Sequence, residues 1–177
     1  VETDTWDSEG QVVEEHGTTG LSLDGVSSLL MQFQGDIDQV PPMYSALKRD
    51  GTPLYTLARR GETVERSPRR VTIHSLAVRR WTSPDLELEV VCSKGTYIRS
   101  LAHDLGRAAG TGAYLARLRR TAVGQFTLER ARTLEQLAEG ECWRQSLIPL
   151  SEAVTHLPSL VLDATTESRI RQGRAVP

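Results

Sequence analysis

Apolar and polar residues alternate over 86–92, with Leu86, Leu88, Val90 and Cys92 on one side, and the period changes just beyond Gly95. A period of two is that of a half-buried strand. From Ile98 the apolar positions Ile98, Leu101, Ala102, Leu105, Ala108 and Ala109 recur at three and four residues, which predicts an amphipathic helix stopping at Gly110. Upstream, Val71, Ile73 and Ser75 point one way and Thr72, His74 and Leu76 the other, before Val78 and Trp81, which predicts a strand with a bulge. That strand and 86–92 form an antiparallel pair across Thr82-Ser83-Pro84-Asp85. Residues 22–33 have helical spacing at Leu23, Val26, Leu29, Leu30 and Phe33, with Ser22 as N-cap and Gly35 past the end. Gly25 weakens this helix by about 1 kcal/mol relative to Ala. Residues 1–6 and 11–15 predict a hairpin around the turn Asp7-Ser8-Glu9-Gly10. Thr133-Leu134-Glu135-Gln136 is a capping box opening a short helix. Beyond a break near Leu157-Pro158, residues 160–162 read as a strand and 166–172 as a helical turn before Gly173.

Composition narrows the class. At 177 residues, with 38% hydrophobic and 25% charged, the chain reads as an ordinary globular protein able to bury one core and a small appendage. No run approaches the roughly 20 apolar residues of a membrane span, and residues 1–10 lack the basic and apolar regions of a signal peptide. The expected location is the cytoplasm. Cys92 and Cys142 are far apart and read as reduced thiols, and His16, His74, His103 and His156 show no metal-ligand spacing, so no metal is expected.

The net charge of −2 hides a division. Residues 1–38 hold nine carboxylates and no Lys or Arg, whereas 48–80 and 94–132 each carry an excess of six positive charges. Positive potential over a footprint suits a nucleic acid, since phosphate contacts supply the salt-dependent part of affinity. The plainer reading of each cluster is a solvated face. The two clusters flank Gly95-Thr96-Tyr97-Ile98-Arg99, where Tyr97 and Arg99 stand at a strand-to-helix junction, the kind of place that carries function. Taken alone, Tyr97 also fits a core aromatic and Arg99 a surface ion-pair partner. Residues 40–68 contain Pro41, Pro42, Gly51, Pro53, Gly61 and Pro68 with aromatic and basic residues between them, which is long for a plain loop.

The run Ser93-Lys94-Gly95-Thr96-Tyr97-Ile98-Arg99 resembles that of the TruB family of tRNA pseudouridine synthases. Residues 1–10 (VETDTWDSEG), 33–55 (FQGDIDQVPPMYSALKRDGTPLY) and 113–126 (AYLARLRRTAVGQF) resemble the same family in the same order, so the resemblance covers nearly the whole chain. It implies a pseudouridine synthase fold of α/β class in the α+β sense: a mixed, mostly antiparallel sheet flanked by helices. It further implies a catalytic domain over 1–156 with a thumb-like insertion at about 40–68, and the beginning of a PUA-like C-terminal domain over 157–177. Residue by residue, Tyr97 matches the tyrosine that lies against the target base and Arg99 the arginine that pairs with the nucleophilic aspartate. Tyr44, Lys48, Arg49, Tyr55, Arg59 and Arg60 would contact the RNA loop from the thumb by stacking and charge. The same tyrosines also fit a loop glued to the core. Lys94 would reach a phosphate or stay solvated, Leu118 would line the base pocket, and Arg117, Arg119 and Arg120 would meet phosphates, with strand alternation choosing among them.

The family's nucleophile sits in a Gly-Thr-Leu-Asp-Pro segment, and none is found here. Asp4, Asp7 and Asp104 remain as carboxylates, but none stands in that context. The chain therefore reads as the middle and later part of an enzyme, inactive by itself, with an exposed sheet edge and marginal stability. The implied function is isomerisation of uridine 55 in the T loop of tRNA, without cofactor, by a monomer whose partner is the tRNA T stem-loop and which needs no membrane and no obligate protein partner. A non-catalytic tRNA-binding module is the alternative, and a protein-interaction domain with basic faces is a third reading.

Overall fold

A computed structural model describes residues 1–140 and 142–176. They fall into two compact units, one over 1–119 and the other from Arg120 onward.

In the first unit, β1 (Glu2–Thr3) and β2 (Val12–Glu14) form the expected antiparallel hairpin, shorter than its pattern predicts. Its loop begins at Asp4, where the chain turns inward: Trp6 takes a positive φ of 63° and Asp7 makes an isolated parallel bridge to Leu115. Helix α1 (Leu23–Leu30) starts on Ser22, whose hydroxyl accepts from the Gly25 N–H at 3.1 Å, and continues as a 3-10 turn over Met31–Phe33. The chain then enters β3 (Gly35–Gln39). The segment 40–68 is not a plain loop. It holds a small hairpin of β4 (Lys48–Arg49) and β5 (Thr52–Pro53), followed by α2 (Leu54–Arg59). The turn between the strands is Asp50-Gly51, both at positive φ (50° and 81°), the backbone that tight hairpins demand and that an Asp-Gly pair supplies.

The long β6 (Arg69–Thr82) pairs antiparallel with β3 on one side and with β7 (Asp85–Cys92) on the other, giving the order β3-β6-β7. Its register with β7 shifts twice, between Ile73 and Ser75 and between Val78 and Arg80. Each extra residue flips the face, so Val71, Ile73, Leu76, Val78 and Trp81 are the inward positions rather than a strict alternation. Helix α3 (Ile98–Ala108) and α1 cover that sheet: Val26 and Leu30 meet Leu101 and Leu105 over Leu76, Val78, Trp81, Leu86, Leu88 and Val90. Burying side chains of this size stabilises by about 1.5–3 kcal/mol each. Gly106 is also buried in α3, because residues 112–113 cross it so closely that a Cβ there would stand 2.1 Å from the Ala113 nitrogen.

The second unit contains the hairpin β8 (Ala122–Val123) and β9 (Phe126–Thr127), then α4 (Leu134–Ala138), α5 (Cys142–Gln145), α6 (Leu150–Ala153) and α7 (Ala164–Arg171). The capping box is formed in full: the Gln136 N–H donates to Thr133 Oγ1 and the Thr133 N–H to Gln136 Oε1. Asp163 caps α7, accepting from the Thr166 N–H at 2.7 Å. The strand predicted over 160–162 is not formed, and the alternation that would choose among Arg117, Arg119 and Arg120 has no strand to act on. Residues 117–120 and 160–162 are irregular, with Leu160 and Val161 exposed (Val161 at 96%) and Leu162 half-buried, and among the described residues no strand offers them a ladder of hydrogen bonds.

Candidate active site

The strand-to-helix junction is built as a rigid corner. Beyond Cys92 the Ser93 N–H donates to the Thr72 carbonyl and Ser93 Oγ accepts from the Thr72 N–H, which extends the β6–β7 pairing by one step. Gly95 then turns at a φ of 86°, and Tyr97 caps α3. The Tyr97 backbone is held by Gln39, whose Oε1 accepts from the Tyr97 N–H at 2.7 Å and whose Nε2 donates to the Tyr97 carbonyl at 3.0 Å. Gln39 is only 2% exposed at the end of β3. Ser100, fully buried one turn on, donates to the Val40 carbonyl at 2.7 Å.

Arg99 gathers two loops. Its Nη1 donates to Asp7 Oδ2 at 2.9 Å and lies 3.5 Å from the Thr5 carbonyl, while Nη2 donates to the Tyr44 carbonyl at 2.6 Å. About a quarter of each charged side chain in the pair remains exposed, so the ion pair is screened less than a surface pair. Asp7 in turn accepts from Thr5 Oγ1 at 2.6 Å and from the Glu9 N–H at 3.1 Å, both on Oδ1. These bonds use one oxygen for its own loop and the other for Arg99.

Around this pair lies an open cavity of about 600 Å³, lined by Tyr44, Tyr55, Arg59, Tyr97 and Arg99, and also by Asp4, Thr5, Asp7 and Ser45. The Arg59 guanidinium sits 5.5 Å above the Tyr55 ring. Three tyrosines, two arginines and the carboxylate residues Asp4, Asp7 and Glu9 thus line one space large enough for a nucleotide. Of the residues singled out from the sequence, Lys48, Arg49, Arg60, Lys94, Leu118 and Arg119 do not line it. Leu118 is 60% exposed, and Arg49 instead donates to the Glu65 carbonyl at 2.9 Å. Sequence reasoning missed Gln39 and the pairing of Asp7 with Arg99, having noted Asp7 only as a turn residue and as a carboxylate outside the family's nucleophile context.

Part of the positive excess is neutralised on the sheet. Arg70 pairs with Asp36 and Asp38, Arg79 with Glu89 and Arg80 with Glu87, all largely exposed pairs worth little to stability. Behind the cavity, His103 Nδ1 lies 3.3 Å from Glu2 Oε1, and Arg107 Nη1 lies 3.7 Å from Glu2 Oε2. Burial pushes the His103 imidazole below its usual range, against the opposing pull of Glu2 and Asp104, with Arg107 and Arg66 adding to the fall. Burial likewise pushes the Asp104 carboxyl up, offset in part by His103. Among the described residues no group of three or more His, Cys, Asp or Glu is placed to hold a metal, and no helix is long and apolar enough to cross a membrane. Cys92 is a free, half-buried thiol; the Cys142 side chain lies outside the described residues.

Comparison with known proteins follows the same blocks of sequence. The family described as TruB family pseudouridylate synthase (N terminal domain) matches residues 1–98, and that described as tRNA pseudouridylate synthase B C-terminal domain matches 99–162. The chain belongs to the TruB family. Similar members are named tRNA pseudouridine synthase B, from Azoarcus sp. (strain BH72), 49% identical over 174 residues, and from Burkholderia lata, 46% identical over 182 residues. These alignments take in 97% and 99% of this chain but 58% and 55% of the relatives, so the chain spans a little over half their length. The fold is similar to a crystal structure of a Cbf5-Nop10-Gar1 complex (TM-score 0.71, 28% identity, 89% of this chain and 46% of that one). It is also similar to a structure of an H/ACA RNP bound to a substrate RNA containing 2'-deoxyuridine (TM-score 0.58, 26% identity, 81% and 40%). TruB membership and these neighbours bear out the α+β class and the antiparallel sheet with helices on one face.

Proposed function

We propose that the complete protein to which these residues belong is a tRNA pseudouridine synthase that converts uridine 55 of the T loop to pseudouridine. The observation that carries this reading is the cavity in which Tyr97, Tyr44 and Tyr55 face the Arg99–Asp7 pair. Isomerisation breaks the N-glycosidic bond, rotates the freed uracil and rejoins it to the ribose through carbon, with one proton leaving that carbon and one returning to nitrogen. The target nucleotide must leave its stack and lie in a pocket with aromatic walls. Tyr97 would lie against the base. Arg99, always charged, would hold a carboxylate ionised and oriented. Tyr55 with Arg59, and Tyr44, would receive the neighbouring loop nucleotides by stacking and charge. Lys48, Arg49 and Arg60 lie off the cavity and would meet the RNA loop and its phosphates, Lys94 and Arg119 would reach phosphates, and Leu118 would line the base pocket. The tRNA T stem-loop is the proposed partner, the protein acting as a monomer in the cytoplasm, and residues 157–177 are assigned to the start of a PUA-like domain.

A second reading has its own support. Asp7 is committed on both oxygens, to Arg99 and to its own loop, and so is not free to act as a nucleophile. A tRNA-binding module without catalysis would keep every other feature. The deciding experiment is a pseudouridine assay of the complete gene product on an unmodified tRNA T arm. Product at the T-loop uridine supports the synthase; tight salt-dependent binding without product supports the module, and neither outcome together with RNA binding absent would overturn both.

A further inference from the structure

Trp6 is a bulky residue in left-handed backbone, at a φ of 63°, a conformation that such side chains avoid unless surrounding contacts enforce it. Those contacts are present. The Trp6 N–H donates to the Thr3 carbonyl at 3.2 Å, and the Trp6 carbonyl accepts from the Leu115 N–H at 2.9 Å. The indole stacks on the His103 imidazole of α3 with ring centres 4.1 Å apart and planes within 13°, and the Arg66 guanidinium lies over the same indole at 5.6 Å. Arg66 is tied in its turn to the Pro41 carbonyl at 3.0 Å. Three parts of the first unit therefore meet on one ring: the 4–11 loop, helix α3 and the end of segment 40–68.

The kink has a consequence on either side of it. Arg99 Nη1 reaches both the Thr5 carbonyl and the Asp7 carboxylate, the residues that flank Trp6. The turn at Trp6 is what brings those two acceptors to one nitrogen. His103 and Arg99 lie one helical turn apart on α3, so the stack anchors the loop to the same helix that presents the guanidinium. The ring makes no part of the main cavity wall, which leaves it free to act on the site through Asp7.

We propose that Trp6 is a positioning residue: its stack on His103, with Arg66 over the ring, locks the left-handed turn that aims Asp7 at Arg99. The inference rests on the synthase reading for its kinetic consequence, but its geometric consequence stands apart from it. Two readouts are therefore taken on the complete protein, with Trp6→Ala, Trp6→Phe and His103→Phe, each first checked for a cooperative melt. In the kinetic arm, Trp6→Ala lowers kcat for pseudouridine formation by about tenfold to a hundredfold while KM for tRNA stays within about threefold. Trp6→Phe and His103→Phe, which preserve an aromatic stack, recover most of kcat. In the second arm, nitrogen NMR of the arginine side chains shows distinct, slowly rotating Arg99 Nη groups in the parent protein and in both Phe variants, and averaged ones in Trp6→Ala. An unchanged kcat in a folded Trp6→Ala, or Arg99 signals that stay distinct in it, would overturn the proposal. A parent protein without activity counts against the synthase reading, and the NMR arm then decides on Trp6 alone. Loss of folding in Trp6→Ala moves the decision to His103→Ala, where the same averaging is expected and its absence overturns the proposal.

Discussion

Arg99 and Asp7 form a partly buried ion pair, Nη1 to Oδ2 at 2.9 Å, that joins the first turn of α3 to the loop of the N-terminal hairpin. Neither residue is spare in this arrangement. The other guanidinium nitrogen is bonded to the Tyr44 carbonyl, and the other carboxylate oxygen to Thr5 and Glu9. Charge-assisted bonds of this kind are about twice as strong as neutral ones, and a forked guanidinium is not replaced by an ammonium. Arg99→Lys is therefore expected to keep the charge and lose one of the two loops; in the complete protein, on the synthase reading proposed above, it lowers turnover on tRNA by about a hundredfold or more with a smaller change in affinity. Asp7→Asn retains the shape and two of the acceptor contacts, and is expected to fall by about tenfold. Steady-state kinetics on an unmodified T arm checks both; a raised KM with kcat unchanged would instead place the pair in substrate affinity.

Gln39 holds the Tyr97 backbone through both ends of its amide while itself almost fully buried. Gln39→Leu removes two hydrogen bonds and leaves the Tyr97 N–H without its partner, which is expected to cost about 2–4 kcal/mol of stability. Tyr97 also caps α3, so the junction would loosen as a unit. Chemical denaturation measures the loss, and an effect below about 1 kcal/mol would mean that solvent takes over the freed groups.

How far the sequence foretold this site depends on what each residue does. The alternation of Leu86, Leu88 and Val90 and the helical spacing from Ile98 are properties of single elements, so the corner that carries Tyr97 and Arg99 was legible. The pairing of β6 with β7 across Ser83-Pro84 was legible as well, although two bulges rather than one restore its inward face. Asp7 stood out as a carboxylate and a turn former, but its pairing with Arg99 was hidden, since the positive φ of Trp6 and the bridge to Leu115 depend on contacts far along the chain. Gln39 carried no periodic signal at all. A polar side chain at a strand end reads as solvent-facing until the junction that covers it is known. The hairpin inside 40–68 could have been found, because Asp50-Gly51 is the turn pair that such hairpins use. The unformed strand at 160–162 shows the converse: Leu160 and Val161 have strand character, but propensity without a partner builds no ladder.

Gly106 marks where α3 is crossed by residues 112–113. An added Cβ would stand 2.1 Å from the Ala113 nitrogen and 2.4 Å from the Gly112 carbonyl carbon, both backbone atoms that cannot swing aside. Helix propensity alone favours alanine by roughly 1 kcal/mol, so the two effects oppose each other. The clash is the larger, because it must move the chain that leads from α3 to Leu115. Gly106→Ala is expected to destabilise by about 1–3 kcal/mol despite its better propensity, and a rise in melting temperature would show that residues 112–113 yield.

Acidification should weaken the first unit through His103. Burial holds the folded imidazole below its ordinary value of 6.5, while the unfolded side chain takes up a proton near that value. Between the two, the unfolded state binds more protons, so stability rises with pH. The contribution is complete above about pH 6.5 and is lost as pH falls from there through the folded value. Asp104 acts in the opposite sense: burial raises its carboxyl above 3.8, so its ionised form costs stability near neutrality and the cost is relieved as pH falls through its folded value. Glu2, Arg107 and Arg66 also face the imidazole and set the size of the effect. Thermal melts from about pH 7.5 to about pH 5.5 should show a falling midpoint in the parent protein and a flatter one in His103→Gln, which cannot take up the proton. A midpoint that falls equally in both would assign the acid sensitivity to another group, and a steeper fall in Asp104→Asn than in the parent would show the carboxylate offsetting part of the histidine's effect.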